Sequence, residues 1–169
     1  MKRITLALLT VLALSPPAYA AFRTAPAAAP ALAQIQAQAK TTKSYLTTKR
    51  AEMVLPTVNA MVPLAVIQHL ASAIPRLNAL AATPGLLQYA KDQYNDQAYN
   101  VAAEYTAMAN AMTAVLNNLV ATFPKDGTNT YLAYEIINGV GQITQRTFTA
   151  AQLAPAVALV DTLLATIAD

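Results

Sequence analysis

The chain has 169 residues, 56% of them hydrophobic and 11% charged, with a formal net charge of +3. That length supports one buried core. It carries no cysteine and a single histidine, which excludes a disulfide scaffold, a thiol nucleophile, thiolate zinc sites and any multi-histidine metal site.

The composition leans helical, with 38 alanines against 4 glycines, because alanine has the best intrinsic helix propensity. Residues 1–20, MKRITLALLTVLALSPPAYA, have the three parts of an export leader. Lys2 and Arg3 form a basic start, Ile4 to Leu14 an apolar run, and Ala18-Tyr19-Ala20 a small-x-small cleavage site. The run is too short for a membrane span, which needs about 20 apolar residues. Its removal would lower the net charge from +3 to +1 and leave no basic patch able to neutralise several phosphates, so no nucleic-acid partner is expected.

Residues 21–30, AFRTAPAAAP, read as an extended Ala/Pro-rich linker. A first helix is expected over 31–53, with the stripe Leu32, Ile35, Ala39, Thr42, Leu46, Lys49 and Met53, weakened by Thr42 and Lys49, and with Pro56 ending it. A second helical region spans 58–82 on Ile67, Leu70, Ile74 and Leu77. Pro63 suits its first turn, Pro75 predicts a kink or break, and Ser72 could cap a second piece. Thr83-Pro84-Gly85 reads as a turn, and 86–95 as a short helix.

The clearest segment is 97–123. Val101, Tyr105, Met108, Met112, Val115 and Leu119 recur at spacings of four and three, while the opposite face is polar or small. After the stop Phe123-Pro124-Lys125-Asp126-Gly127, a β-hairpin is expected over about 130–148, turning at Asn138-Gly139 with a second strand running from Gln142 to Phe148. Thr149-Ala150-Ala151-Gln152 reads as a capping box opening the last helix, with a stripe of Leu153, Val157, Val160, Leu164 and Ile167. The expected fold is all-α dominated. Residues 31–169 would make one domain, an antiparallel helical bundle of about four amphipathic helices with the hairpin inserted before the last.

From residue 45 to the end the chain resembles a group of small, mostly helical proteins encoded among tailed-phage virion genes. The resemblance rests on YLTTKRAEMVLPTV (45–58), ATPGLLQYAKDQYND (82–96), VAAEYTAM (101–108), FPKDG (123–127) and FTAAQL (148–153). It covers about three quarters of the chain. These strings are stripes, stops and caps, and the group has no assigned activity, so no functional residue carries over. The resemblance implies a virion-associated component, a capsid or tail accessory.

Catalytic vocabulary is sparse. His69 and Ser72 share a helical face but lack a nearby carboxylate to orient them. Asp92 and Asp96 offer two carboxylates where a hard cation wants six or more oxygens. Glu52 and Glu104 are lone acids, and glycosidase chemistry needs a pair. Lys40, Lys43, Lys49 and Arg50 read as a solvated face. No enzyme, cofactor or metal is assigned. The tyrosines stand out, since rings with one polar handle suit interfaces. Tyr89, Tyr94, Tyr99, Tyr131 and Tyr134, with Ile136 and Phe148 of the hairpin, are the interface candidates. The expected partner is another protein or a second copy of the chain. The expected location is the virion, or the periplasm or exterior if the leader directs export and the chain acts there as a binding or inhibitor module.

Overall fold

The computed structural model describes residues 16–123, 134–137 and 142–167, with side chains for 27–123 and 145–167. Five helices and two small antiparallel strand pairs follow in the order α1 (Pro16–Met53), β1 (Thr57–Asn59), α2 (Met61–Ala81), α3 (Leu86–Tyr94), α4 (Val101–Thr122), β2 (Tyr134–Ile137), β3 (Gln142–Gln145), β4 (Thr147–Thr149) and α5 (Ala150–Thr166).

The linker expected over 21–30 is instead helical and belongs to α1. Prolines 26 and 30 each remove a backbone donor, a cost of about 3 kcal/mol in a helix interior. The surrounding alanines favour helix, and Ala28, Ala31, Leu32 and Ile35 bury themselves on the way in. Packing outweighs the prolines. Further along, the stripe from Leu32 to Met53 is buried except for half-buried Lys49, and it includes Thr42 at 0% exposure.

Helix α2 opens three residues later than its periodicity suggested, because Thr57–Asn59 is a strand. Asn59 Oδ1 accepts from the Met61 amide at 2.8 Å and ties down one of the free donors of the first turn. Pro63 sits in that turn. The helix runs on through Pro75 as one element, so no second piece forms there. The Ser72 hydroxyl donates back to the His69 carbonyl at 2.8 Å instead of capping. Gly85, at φ 78°, and Asn95, at φ 50°, bracket α3 in the left-handed region that a β-branched residue would resist.

In α4 the Asn100 side chain accepts from the Ala103 amide at 3.0 Å, and the whole stripe from Val101 to Leu119 is buried. The capping box at Thr149 and Gln152 is formed as its spacing predicts. In α5, Leu153, Val157, Val160 and Ile167 are buried, while Leu163 takes the inward place expected of Leu164.

The expected second strand of the hairpin divides at Arg146. Its first part, β3, pairs with β2 in the register Ile137↔Gln142, so four residues connect the strands. A two-residue Asn138-Gly139 turn would have required Ile137 opposite Val140, and the connection itself lies outside the described residues. The second part, β4, leaves the hairpin and pairs with β1, with Val58 opposite Phe148. The Arg146 carbonyl accepts from the Ala60 amide at 2.9 Å at the crossing point.

Helix α2 packs on α1 and α4, α4 on α5, and α5 returns to α1, while α3 lies against α1 and α4. One continuous apolar cluster runs from Ala31 to Ile167 through all five helices. Phe123 and Phe148 close one end edge-to-face, with centroids 4.9 Å apart. Outside the core, Arg50 grips Asp161 with two bonds of 2.8 and 3.0 Å, and the Lys43 ammonium donates to the Ile167 carbonyl at 2.8 Å. Among the described residues no helix is long and apolar enough to cross a membrane.

Candidate functional site

The loop between α3 and α4, together with the first turn of α4, brings tyrosines and acids against the middle of α1. Asp96 turns the chain by accepting from the Ala98 amide at 2.8 Å. Asn100 then starts α4, with Glu104 in its first turn, where the helix dipole favours a negative charge. One helical step beyond Glu104, Tyr105 points inward on the buried stripe.

The result is a cavity of about 670 Å³. Tyr94, Asp96, Tyr99, Glu104, Tyr105 and Met108 line it from one side. Gln36, Ala39 and Lys40 of α1 line the other, and Thr166 and Ile167 at the end of α5 complete it.

Its hydrogen bonding is ordered. The Tyr99 hydroxyl donates to Glu104 Oε2 at 2.8 Å. The Gln36 amide donates to the Tyr94 hydroxyl. Tyr94 and Tyr99 meet edge-to-face with centroids 5.0 Å apart, the geometry that ring quadrupoles favour. Tyr94 is 47% exposed and forms the rim, whereas Tyr105 is 6% exposed and forms the floor. Burial, and then the bond to Glu104, push the Tyr99 phenol well above its ordinary range. Burial, and then the Glu104 charge, push the Tyr105 phenol up to about 12. Both phenols therefore stay neutral near pH 7.

Two of the interface candidates, Tyr94 and Tyr99, thus share one cavity. Tyr89 stands apart from it, half-buried on α3, with its hydroxyl directed at Gln93 Oε1 at 3.4 Å. Tyr134 and Ile136 lie on β2, opposite Gln145 and Ile143. Tyr131 lies outside the described residues. Phe148 is buried on Phe123 and belongs to the core, because β4 carries it away from the hairpin to β1.

The remaining polar candidates disperse. The His69 ring faces Thr42, not Ser72, with Nε2 3.2 Å from Thr42 Oγ1, and it stacks on Tyr45 at 4.2 Å. Asp92 accepts from the Gln88 amide at 2.8 Å, while Asp96 caps its turn. Glu52 pairs with Lys49 at 2.8 Å. Among the described residues no three His, Asp or Glu side chains gather as a metal site would require. The basic cluster splits between Glu52, Asp161, the Ile167 carbonyl and, for Lys40, the cavity rim.

Sequence reading missed the contribution of Gln36 and Lys40, which lie more than fifty residues from the tyrosines. It also kept Tyr105 on the buried stripe of α4 and left it out of the interface candidates. The density of tyrosines and acids between residues 94 and 105 was the available signal. Comparison of the chain with protein-family models, with curated proteins and with solved structures returned no match.

Proposed function

We propose that the chain is a non-enzymatic interaction protein whose long helices act as an antiparallel bundle presenting the tyrosine-lined cavity to a protein partner. The carrying observation is the convergence of Tyr94, Tyr99, Tyr105 and Glu104 in one cavity of about 670 Å³. Aromatic rings supply contact area at low conformational cost, and the single carboxylate at the wall supplies orientation. The hairpin, with Tyr134 and Ile136, is a second contact element.

The setting proposed is a phage particle, with this chain as a capsid or tail accessory. The resemblance of residues 45–169 to virion-encoded helical proteins supports it. The leader-like residues 1–20 favour a second reading, an exported binding module. A cut after Ala20 would trim only the first turn or so of α1 and keep every buried residue from Ala28 onward.

Mass spectrometry of purified particles and of the periplasmic fraction separates the two. The virion reading expects peptides from this chain in particles, and fewer of them for Tyr94→Ala. The export reading expects a periplasmic chain beginning at Ala21. Undiminished incorporation or partner capture by Tyr94→Ala would remove the cavity from the function.

A further inference from the structure

We propose that the tyrosine-lined cavity binds an arginine side chain of the partner, with the guanidinium stacked on the exposed Tyr94 ring beside Tyr99 and bonded to the Glu104 carboxylate. This rests on the reading of the cavity as a protein-binding surface and names the chemistry it recognises.

Three observations carry it. The first is charge. Glu104 makes no ion pair among the described residues, and the one hydrogen bond its carboxylate makes among them is accepted from the neutral Tyr99 hydroxyl. Asp96 lines the same cavity, so two carboxylates face one exposed ammonium, that of Lys40, which makes no ion pair with either. A half-buried carboxylate without a cation is an opportunity for one.

The second is the Tyr105 hydroxyl. The residue is 6% exposed and lines the cavity, and its hydroxyl, which solvent reaches, makes no hydrogen bond among the described residues. A hydroxyl left open on a cavity floor is an acceptor that a ligand donor can use. A guanidinium brings five N–H donors and no acceptor. Tyr105, Glu104 and Gln36 together offer it several oxygens.

The third is shape. Tyr94 and Tyr99 stand edge-to-face, 73° apart, and Tyr94 is 47% exposed, so a cation can lie on the Tyr94 ring. A planar guanidinium stacks on such a ring and bonds a carboxylate with two parallel donors, which an ammonium does not do. The cavity is far larger than one guanidinium, so it also has room for the adjoining stretch of partner chain.

The test is a titration of the whole chain with N-acetyl-arginine amide, followed through the tyrosine ring resonances. Its neutral isostere N-acetyl-citrulline amide and the corresponding lysine derivative serve as comparisons. Saturable shifts confined to the cavity tyrosines are expected, with the arginine midpoint at least about 10-fold below that of citrulline and below that of lysine. Glu104→Gln keeps an acceptor for Tyr99 while removing the charge, and should raise the arginine midpoint about 10-fold. Lys40→Ala should lower it. Thermal unfolding of each variant verifies that the fold is kept. Equal binding of citrulline, an unchanged midpoint in Glu104→Gln, or no saturation overturns the assignment. Failure here, with partner capture still lost in Tyr94→Ala, removes only the arginine reading. Arginine binding with capture intact removes only the partner-binding role of the cavity.

Discussion

Met112 and His69 show two ways in which one side chain serves this fold. Met112 is fully buried in the middle of α4, between the faces that α2 and α5 present. Truncating such a residue loses transfer free energy and leaves a cavity that the neighbours fill only in part. Met112→Ala should therefore cost about 2–5 kcal/mol in urea unfolding. A loss under about half a kcal/mol is surface behaviour and would contradict this packing. His69 is only half-buried, but its ring is held between Tyr45 and the buried Thr42 hydroxyl. Burial lowers its pKa below 6.5. The folded state thus binds its proton less readily than the unfolded chain does. Stability is unaffected by this group above the unfolded pKa. It falls as pH drops from there toward the folded pKa, and then levels off. Melting temperatures between about pH 7 and 5 should decline more steeply for the native chain than for His69→Gln. Lys49 and Glu52, the charged groups that act on neighbouring Tyr45, pair with each other.

Helix α2 carries a local conflict that packing resolves. Pro75 occurs well inside it, exposed, where it removes a donor and crowds the preceding turn. Ile67, Leu70, Ala73 and Leu77 around it are buried, and their burial holds the helix together across the proline. Because the ring faces solvent, Pro75→Ala should restore a backbone bond without disturbing the core. An increase of about 1–3 kcal/mol is expected from the urea midpoint. Destabilisation instead would mean that the proline shapes a bend the packing needs. At the start of α5 local signals agree with one another. Thr149 and Gln152 exchange bonds in both directions, so the helix opens where its sequence says it should.

Among the described residues, the core is drawn from α1 to α5 and from the β1–β4 pair, and Gln145 and Arg146 tie the β2–β3 pair to the segment before α2. The Gln145 side chain accepts from Asn59, and the Arg146 carbonyl accepts from Ala60. A two-stranded ribbon is marginal by itself in water. Replacing residues 134–144 with a short Gly/Ser connection, keeping Gln145 to Thr149, should leave one cooperative helical unfolding transition. If the hairpin is a contact element, incorporation into particles or self-association should be lost in the same variant. Loss of the cooperative transition would instead make the hairpin part of the fold. The Arg50–Asp161 clasp joins α1 to α5 but lies in solvent, where such pairs contribute little and salt screens them.

What could be read from the residues alone was whatever a short window encodes. The stripe of α4, the apolar positions of the α1 stripe, the short α3 and the Thr149 capping box each depend on neighbours three or four positions apart. Periodicity and side-chain capping act over that distance, so they are visible in sequence. Three features needed the folded chain. The helix through residues 21–30 depends on where Ala28 and Ala31 pack, and its prolines argue the other way locally. The division of the second hairpin strand at Arg146 depends on β1, about ninety residues earlier, which competes for the backbone of residues 147–149. A strand offers its donors to whichever partner the tertiary fold places beside it, and no local pattern names that partner. The cavity depends on the same kind of distant meeting. Tyr94, Tyr99 and Glu104 were legible as a dense aromatic and acidic stretch, but Gln36 and Lys40 join them only because α1 packs beside α3 and α5 at the same cavity. Tyr105 shows the limit within one residue. Its spacing places the ring in the core, whereas only the three-dimensional packing leaves its hydroxyl at the floor of a cavity with no partner among the described residues.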